Sequence, residues 1–484
     1  MNIGLQSNIF LRPSPKRHTE GLDKAISPAE TVRNVKALLQ RIDLELVRDV
    51  TRIDHGRLNI PVYVCRAGKD CNTASPRTMG KGPTAEQSEA SALMELVERF
   101  SHANYPQAGS YRWGTIGDVD GDTIPVGELF RFPHLGEMVV EEHRQEFAAL
   151  PFAWVPAYSL VHQKDFLVPH EWLADIQGTN GLSAGNTLEE TILQGLCEVV
   201  ERHVCGMINM ARKPVPTIDL ATVRDPVARD LIGKFSRNRI ALACKDFSLN
   251  TGIPTVAGIA FDPVTFPNSE IVYCAGTATH PEKALIRTLT EIQQMAVDYF
   301  KEDYYAGGIL PKFSHWREAD YLFDESEPVA IQSLPDVSSD DILEEIRNCT
   351  AALGRIGLEP LAVNIGHPVL QVPAVFVLIP GAEQFETSAC SLNPIYYLAR
   401  RLEFLGQHET AIQRFRLSMD RYPRSALHCT MEVAACLKHM QRWKEAMEAY
   451  KDALRYQPDR AMQYRIMNAM IACSDQMKPE RGGL

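Results

Sequence analysis

The chain has 484 residues, enough for two to four domains at roughly 100–200 residues each and for a large buried core. Hydrophobic residues make up 45% and charged residues 23%, a mix that excludes collagen, low-complexity and disordered chains. With 50 basic against 61 acidic side chains the net charge is −11, so no global basic footprint invites nucleic acid or an anionic membrane.

Residues 1–20 are polar and Pro-rich and read as a loose lead-in. Ile9, Phe10 and Leu11 make too short an apolar run for an export signal, which points to the cytoplasm. Val32, Val35, Leu38, Leu39 and Ile42 at helical spacing predict a helix from Pro28 to about Val47. Asn59 to Arg66 is strand-like. Gly80-Lys81-Gly82-Pro83 reads as a turn feeding a strong helix over Ser88 to Phe100; it lacks Walker A spacing, and Pro83 removes a backbone donor. The stretch Tyr105 to Gln177 reads as loop-rich, with short apolar runs such as Phe152 to Leu160. A second strong helix is predicted over Thr187 to Met210, strands over Thr255 to Phe261 and Ile271 to Thr277, and a third helix over about Pro281 to Phe300. Acidic residues crowd Glu318 to Glu345, a surface excursion. Leu361 to Ile379 returns to β character, with Val369 to Pro380 as a buried strand. No window approaches the roughly 18 uninterrupted apolar residues of a membrane helix.

From Asn393 onward the pattern is helical and repeats. Leu405-Gly406, Ala411, Phe415 and Pro423 recur 35 residues later as Met440-Gln441, Ala446, Tyr450 and Pro458. That offset is close to the roughly 34-residue period of tetratricopeptide helix pairs, which bury their apolar faces only by stacking on a neighbour. The expected fold class is α+β: a mixed α/β core over residues 21–386, then an all-α helical-repeat tail over 390–475 that packs and interacts but carries no chemistry.

The eleven cysteines are scattered without CxxC or zinc spacing and read as reduced core thiols, Cys197 among them; the 14 histidines show no metal spacing. No Ser/His/Asp or Cys/His hydrolase signature stands out. The sharpest signal is an internal echo: Glu95-Leu-Val-Glu98-Arg99 and Glu198-Val-Val-Glu201-Arg202, each with its two Glu on one helical face. Like charges at that spacing repel unless something neutralises them. The flanking residues are apolar nearly all round, which predicts buried helices, and buried carboxylates need partners. Glu190, Gln194, Glu198 and Glu201 extend a single polar stripe on the second helix. Before it, Asn180-Gly181-Leu182-Ser183-Ala184-Gly185-Asn186 is a turn that exposes backbone N–H groups, and Thr187 can cap the helix. Oxygen ligands without Cys or His suit Mg2+ rather than zinc, and carboxylates around an anion-friendly turn with two arginines point to Mg2+-bridged nucleotide phosphates.

On these residues the chain resembles the YcaO family. Gly80-Lys81-Gly82 followed by Ser91, Glu95, Glu98 and Arg99 is similar to the family's first motif, Sx3ExxER. Ser183, Glu190 and Gln194 match the second, Sx6Ex3Q, with Glu198 and Glu201 at the following carboxylates. The run from Arg287 through Glu291 to Gln293 resembles the family's later Arg/Glu/Gln helix. Lys24 and Thr31 resemble a Lys/Ser pair that some members use at the nucleotide, and Val369 to Gly381 resembles the closing strand. The resemblance covers most of residues 20–386. It implies an ATP- and Mg2+-dependent enzyme that O-phosphorylates a peptide-backbone amide, so that a nucleophile adds at carbon and phosphate departs. An internal Cys, Ser or Thr then gives an azoline, and external sulfide gives a thioamide. By the same resemblance Lys24, Thr31, Ser91, Glu95, Glu98, Ser183, Asn186, Glu190, Gln194, Glu198, Glu201, Arg202 and Arg287 hold the nucleotide. Glu95, Glu98, Glu190, Glu198 and Glu201 hold the metal, and Arg202 and Arg287 stabilise charge on the transferring group.

Azoline-forming members often end in a Pro-rich motif. This chain ends Lys478-Pro-Glu-Arg-Gly-Gly-Leu after helical repeats, which favours a thioamide synthetase over a cyclodehydratase. Members with helical-repeat tails are also described as accessory factors for β-methylthiolation of a small-subunit ribosomal protein. An inert scaffold is disfavoured, because a retired site has no reason to keep buried charge. The expected partners are a peptide or protein substrate, a sulfur-delivery protein or other partner held by the tail, and a second copy of the chain in a homodimer, with neither nucleic acid nor membrane.

Overall fold

The computed structural model describes residues 5–477 apart from 42–45, 55–56, 70, 74, 107–109, 132, 134–140, 265, 267–270, 296–312, 314–316, 318, 324–326, 384–392 and 459. An N-terminal strap leads into α1 (Pro28–Arg41) and an antiparallel three-stranded sheet, β1 (Val47–Arg52), β2 (Val62–Ala67) and β3 (Arg77–Lys81), on which α2 (Ala85–Ala103) packs. Next come β4 (Arg112–Gly114), α3 (Val126–Leu129), α4 (Glu141–Ala148), β5 (Phe152–Ser159), β6 (Asp165–Pro169), α5 (His170–Gln177), β7 (Leu182–Ala184) and the long α6 (Leu188–Ala211). A short β8 (Ile218–Asp219), α7 (Pro226–Arg237), and β9 (Ala241–Asp246), β10 (Thr255–Phe261) and β11 (Val272–Thr277) follow, with α8 (Pro281–Met295) lying on β10 and β11. After β12 (Val329–Ala330) and α9 (Ile342–Gly354), β13 (Leu361–Asn364) and β14 (Ala374–Leu378) complete a six-stranded sheet of order β4-β5-β13-β14-β7, with β6 on β5. Every pairing is antiparallel except the two-residue β8/β12 contact. The chain is thus a mixed α/β core followed by helices α10 (Pro394–Phe404), α11 (His408–Arg421), α12 (Ala426–His439), α13 (Trp443–Leu454) and α14 (Arg460–Gln476), and the α+β expectation holds. Among the described residues no helix is long and apolar enough to cross a membrane.

Three helices carry the polar stripes, and each rests on a different sheet. Two of their starts are fixed by side-chain caps: the Thr84 hydroxyl accepts from the Gln87 N–H at the start of α2 and the Thr187 hydroxyl from the Glu190 N–H at the start of α6. Close approach fixes the rest. A Cβ on Gly80 of β3 would lie 2.0 Å from the Ser88 carbonyl of α2, and one on Gly276 of β11 would lie 2.7 Å from the Ala284 carbonyl of α8. Only glycine allows these two helices to seat so deeply.

Several local expectations are corrected. The first helix stops at Arg41 and Val47 opens a strand, because β1 gains a ladder with β2 that outweighs the helical spacing. Lys81 closes β3 rather than sitting in a turn, and the turn proper is Gly82-Pro83. The Tyr105 to Gln177 region, read as loop-rich, holds three strands and three helices whose short apolar runs find partners in the central sheet. The supposed acidic excursion ends in α9, where Ile342, Leu343, Glu345 and Ile346 are buried. The closing strand spans only Ala374–Leu378; Val369 is 54% exposed. The third helix is described as far as Met295, and the rest of its predicted span, residues 296–300, lies outside the described residues.

The tail forms the paired helices that the repeat predicts. Ala411, Phe415, Ala446 and Tyr450 are buried, and Gly406 and Gln441 both take left-handed backbone at the equivalent inter-helix turns (φ 74° and 60°). Its core is continuous with the domain before it: Tyr397, Leu398 and Leu402 of α10 join Phe147, Phe152 and Trp172 in one apolar cluster. Arg401, only 3% exposed, donates from Nε to the Pro151 carbonyl at 2.8 Å, pairs with Glu171 and lies over the Phe152 ring at 4.5 Å. Arg401→Met should cost about 2 kcal/mol or more, because the Pro151 carbonyl and Glu171 lose a charged donor. Truncation at residue 392 should expose Trp172 and Phe152 and yield an aggregating core. Urea denaturation of the variant and soluble yield of the truncation check both outcomes.

Candidate functional site

The polar stripes of α2, α6 and α8 face one cavity of about 300 Å3, closed on its remaining side by residues 22–31 and by the turn after β7. From α2 come Ser91, Glu95 and Glu98, and from α6 Glu190, Gln194, Glu198, Glu201 and Arg202. Arg287 comes from α8, Ser183 from β7, Asn186 from the turn after it, Lys24 from the N-terminal strap and Thr31 from α1. All thirteen residues singled out in the sequence therefore line the same space. A larger, more open groove of about 520 Å3 lies between residues 6–11 and α9, but Lys164, Asp165 and Arg347 are its only charged groups.

The carboxylates are crowded. Burial pushes Glu98 well above the usual carboxylate range; Arg99 opposes the shift, and the negative charges of Glu198 and Glu95 add to it. Burial likewise raises Glu198, against the pull of Arg202 and Arg99. Arg99 sits 3.3 Å from Glu98 and 3.5 Å from Glu95, whereas Arg202 is 3.9 Å from Glu198. Two oxygens are tied to backbone: Glu95 accepts from the Met79 N–H at 3.1 Å and Glu201 from the Thr277 N–H at 2.9 Å. The guanidinium of Arg287 donates to Gln194 at 2.7 Å, yet Nε of Arg287 and Nε of Arg202 are buried without a hydrogen-bond partner.

Glu190 is differently placed. One oxygen accepts from the Ala25 N–H at 2.8 Å, the other from Asn186 at 3.0 Å, and Lys24 is 3.5 Å away. Thr31 donates to Asn186 Oδ1 at 2.9 Å, so Lys24, Thr31, Asn186 and Glu190 form one connected set. The Ser183 hydroxyl donates to the Thr191 carbonyl at 2.7 Å, which ties the turn to α6. The cavity is also lined by polar residues outside those thirteen, Lys81, Gln87, Arg99, Thr290, Glu291 and Gln294, of which Arg99 and Glu291 stand in the family motifs above without an assigned site role. Lys81 and Glu291 form an ion pair between β3 and α8. Glu291 follows Arg287 by one helical turn, the spacing that put the other stripes on one face, and this was the available signal. Cys197 is buried on α6 and burial pushes its thiol up to about 12, the behaviour of a packing residue. Among the described residues no three His, Cys, Asp or Glu side chains converge closely enough to hold a metal ion by themselves.

The raised carboxyls make stability depend on pH. Between the ordinary value of 4.5 and its higher folded value, Glu98 keeps a proton in the folded chain that the unfolded chain has released. Stability therefore falls as pH rises through that window. In the ligand-free protein Glu98→Gln should be neutral near about pH 5 and stabilising near about pH 8, flattening the pH profile. Urea unfolding across that range measures it, and an unchanged slope contradicts the assignment.

The same elements recur in known proteins. Residues 79–383 match the family model described as YcaO cyclodehydratase, ATP- and Mg2+-binding. An uncharacterized protein of Methanothermobacter thermautotrophicus is 27% identical over 376 residues, covering 75% of this chain and 95% of that one. The ribosomal protein S12 methylthiotransferase accessory factor YcaO of Escherichia coli is 28% identical over 247 residues, 45% of this chain and 40% of that protein. The structure of YcaO from Methanopyrus kandleri bound with AMPPCP and Mg2+ superposes with a TM-score of 0.58 at 24% identity, covering 76% of this chain and 94% of that one. The family model spans more than half of the sequence and takes in the helices that carry the crowded carboxylates, and on that evidence the chain belongs to the YcaO family.

Proposed function

We propose that the cavity binds ATP with Mg2+ and that the chain uses them to activate a backbone amide of a peptide or protein, with thioamide formation as the outcome. The observation that carries this reading is the convergence in one cavity of half-buried carboxylates, two of them raised by desolvation, with unpartnered arginine nitrogens. Buried like charges of this kind are costly unless a cation joins them. The donor set is all oxygen, which fits Mg2+.

Glu95, Glu98, Glu198 and Glu201 would hold Mg2+. Glu190 would complete the set while its present bonds to Ala25 and Asn186 hold the N-terminal strap and Asn186 in place. Lys24, Thr31, Ser91, Ser183, Asn186 and Gln194 would position the nucleotide. Arg202 and Arg287, each with a free buried Nε, would meet negative charge on the transferring group. Bound ATP supplies the phosphoryl group that makes an amide oxygen able to leave. The partial burial of those charges strengthens the contacts made to them. The catalytic unit is placed at residues 21–386 and the helical repeats at 390–475, where they would capture a substrate protein, a sulfur-delivery protein or a second copy of the chain. A second reading, accessory action in methylthiolation of a ribosomal protein, draws on the name of the Escherichia coli relative.

Calorimetry with ATP and a nonhydrolysable analogue should show binding that requires Mg2+; absence of binding with and without Mg2+ sinks the proposal. Glu198→Gln should lower substrate-dependent phosphate release at least tenfold, about 1.4 kcal/mol of barrier, while melting of the ligand-free protein holds or rises. A destabilised, fully active variant would refute a metal role for Glu198. Product mass separates the outcomes: a thioamide is heavier by the difference between sulfur and oxygen, an azoline is lighter by one water, and an accessory factor leaves the peptide unmodified.

A further inference from the structure

The segment from Arg12 to Ser27 crosses the mouth of the site with little regular structure of its own, yet it delivers Lys24 to Glu190. Besides its backbone bonds it is held by a buried ionic clamp beside the cavity, whose Asp23 and Glu345 line a small adjoining pocket with Lys24, Glu190 and Arg287. Lys16, with its side chain 6% exposed, places Nζ 2.6 Å from Asp23 in the same segment and 2.6 Å from Glu345 of α9, whose side chain is 1% exposed. Thr279, in the turn between β11 and α8, donates to the same oxygen of Glu345. The clamp thus joins the strap to α9 and to the entry of α8, the helix that carries Arg287. Backbone bonds run alongside it: Lys16 N–H to the Asp340 carbonyl at 2.9 Å and Ile342 N–H to the Ser14 carbonyl at 2.9 Å.

A buried ion pair is weak evidence for stability, because desolvation offsets much of the attraction; its best-attested use is to fix one register among several. The strap's own backbone pairing is limited to two isolated bridges, His18 with Lys24 and Pro15 with Asp341, which leave the rest of the segment without a ladder to fix its register, and Asp23 is the residue immediately before Lys24. We propose that Lys16, Asp23 and Glu345 are positioning residues: the clamp sets the register of the N-terminal strap, and through it the placement of Lys24 and Thr31 in the nucleotide cavity. This inference rests on the functional reading above in taking the cavity as the nucleotide site. Lys16 itself does not line the nucleotide cavity, so its effect there passes through its two partners, Asp23 in the strap and Glu345 of α9.

The test combines two measurements on Lys16→Met, Lys16→Arg and Glu345→Gln. Hydrogen exchange read by mass spectrometry on the ligand-free protein should show strap peptides, which include the Arg12 and Ala25 amides bonded to Glu189 and Glu190, exchanging at least tenfold faster in Lys16→Met. Peptides from β10 and β11 should be unchanged, and Lys16→Arg should restore protection. ATP affinity by calorimetry should fall at least fivefold in Lys16→Met and in Glu345→Gln, in step with Lys24→Ala, and recover in Lys16→Arg. Wild-type protection of the strap in a folded Lys16→Met overturns the inference. So does a loosened strap with unchanged ATP affinity when Lys24→Ala binds weakly. If Lys16→Met does not fold, Glu345→Gln decides by the same two readouts. Failure of the wild-type chain to bind ATP would instead overturn the functional reading, and the exchange data, which involve no nucleotide, keep the two failures apart.

Discussion

Mutual repulsion of carboxylates in a confined, largely dry space is the constraint around which the rest of this molecule is arranged. Glu98 and Glu198 come from helices nearly a hundred residues apart in sequence, and burial raises both. Separated, each would be a solvated glutamate of no consequence. Brought together they repel, and the protein supplies only partial relief: Arg99 lies between Glu95 and Glu98, and Arg202 stands 3.9 Å from Glu198. A fold that keeps such a cluster gives up stability in the ligand-free state. That deficit is the physical counterpart of affinity for a cation that brings phosphate with it.

Holding the cluster requires stiff supports, which explains why three sheets contribute. Each helix that carries the acidic or basic stripe is seated on a sheet, α2 over β3, α6 over β14 and α8 over β11, two of them through a glycine that no side chain could replace without displacing the helix. The stripes thereby face inward from three directions while the opposite faces disappear into separate apolar cores. The remaining side has no sheet. It is closed by a strap whose order comes from specific polar bonds, so that side depends on charge placement where the others depend on packing.

The helical tail extends this logic to the periphery. Its two helix pairs repeat in sequence, but the first helix is fused to the six-stranded sheet through Arg401 and the cluster around Trp172. A module joined this way keeps a fixed face relative to the sheet, which suits it to presenting something to the core. The exposed side chains Tyr464, Met467 and Ile471 of α14 leave the end of the array apolar.

Much of this was legible in the sequence because it is periodic. The Glu-x-x-Glu-Arg echo, the four-residue steps from Glu190 to Glu198, and the 35-residue repeat are local patterns, and local geometry translates them directly into helix faces. The glutamates of those stripes line one cavity, together with residues such as Lys24, Thr31 and Arg287 that only the family resemblance had pointed to. What periodicity could not convey was anything decided between distant segments. β1 was read as the end of a helix, and the central region as loops, because a strand of five or six residues owes its existence to a neighbour contributed from elsewhere in the chain. Lys81 looked like a turn residue until β3 paired with β2 and set it against Glu291. Glu345 looked like surface charge until α9 folded under the strap and Lys16 met it. Sequence alone determined which faces are polar; tertiary structure alone decided which polar faces meet, since a charge acquires its cost and its partner only from what lies within a few ångströms across the fold.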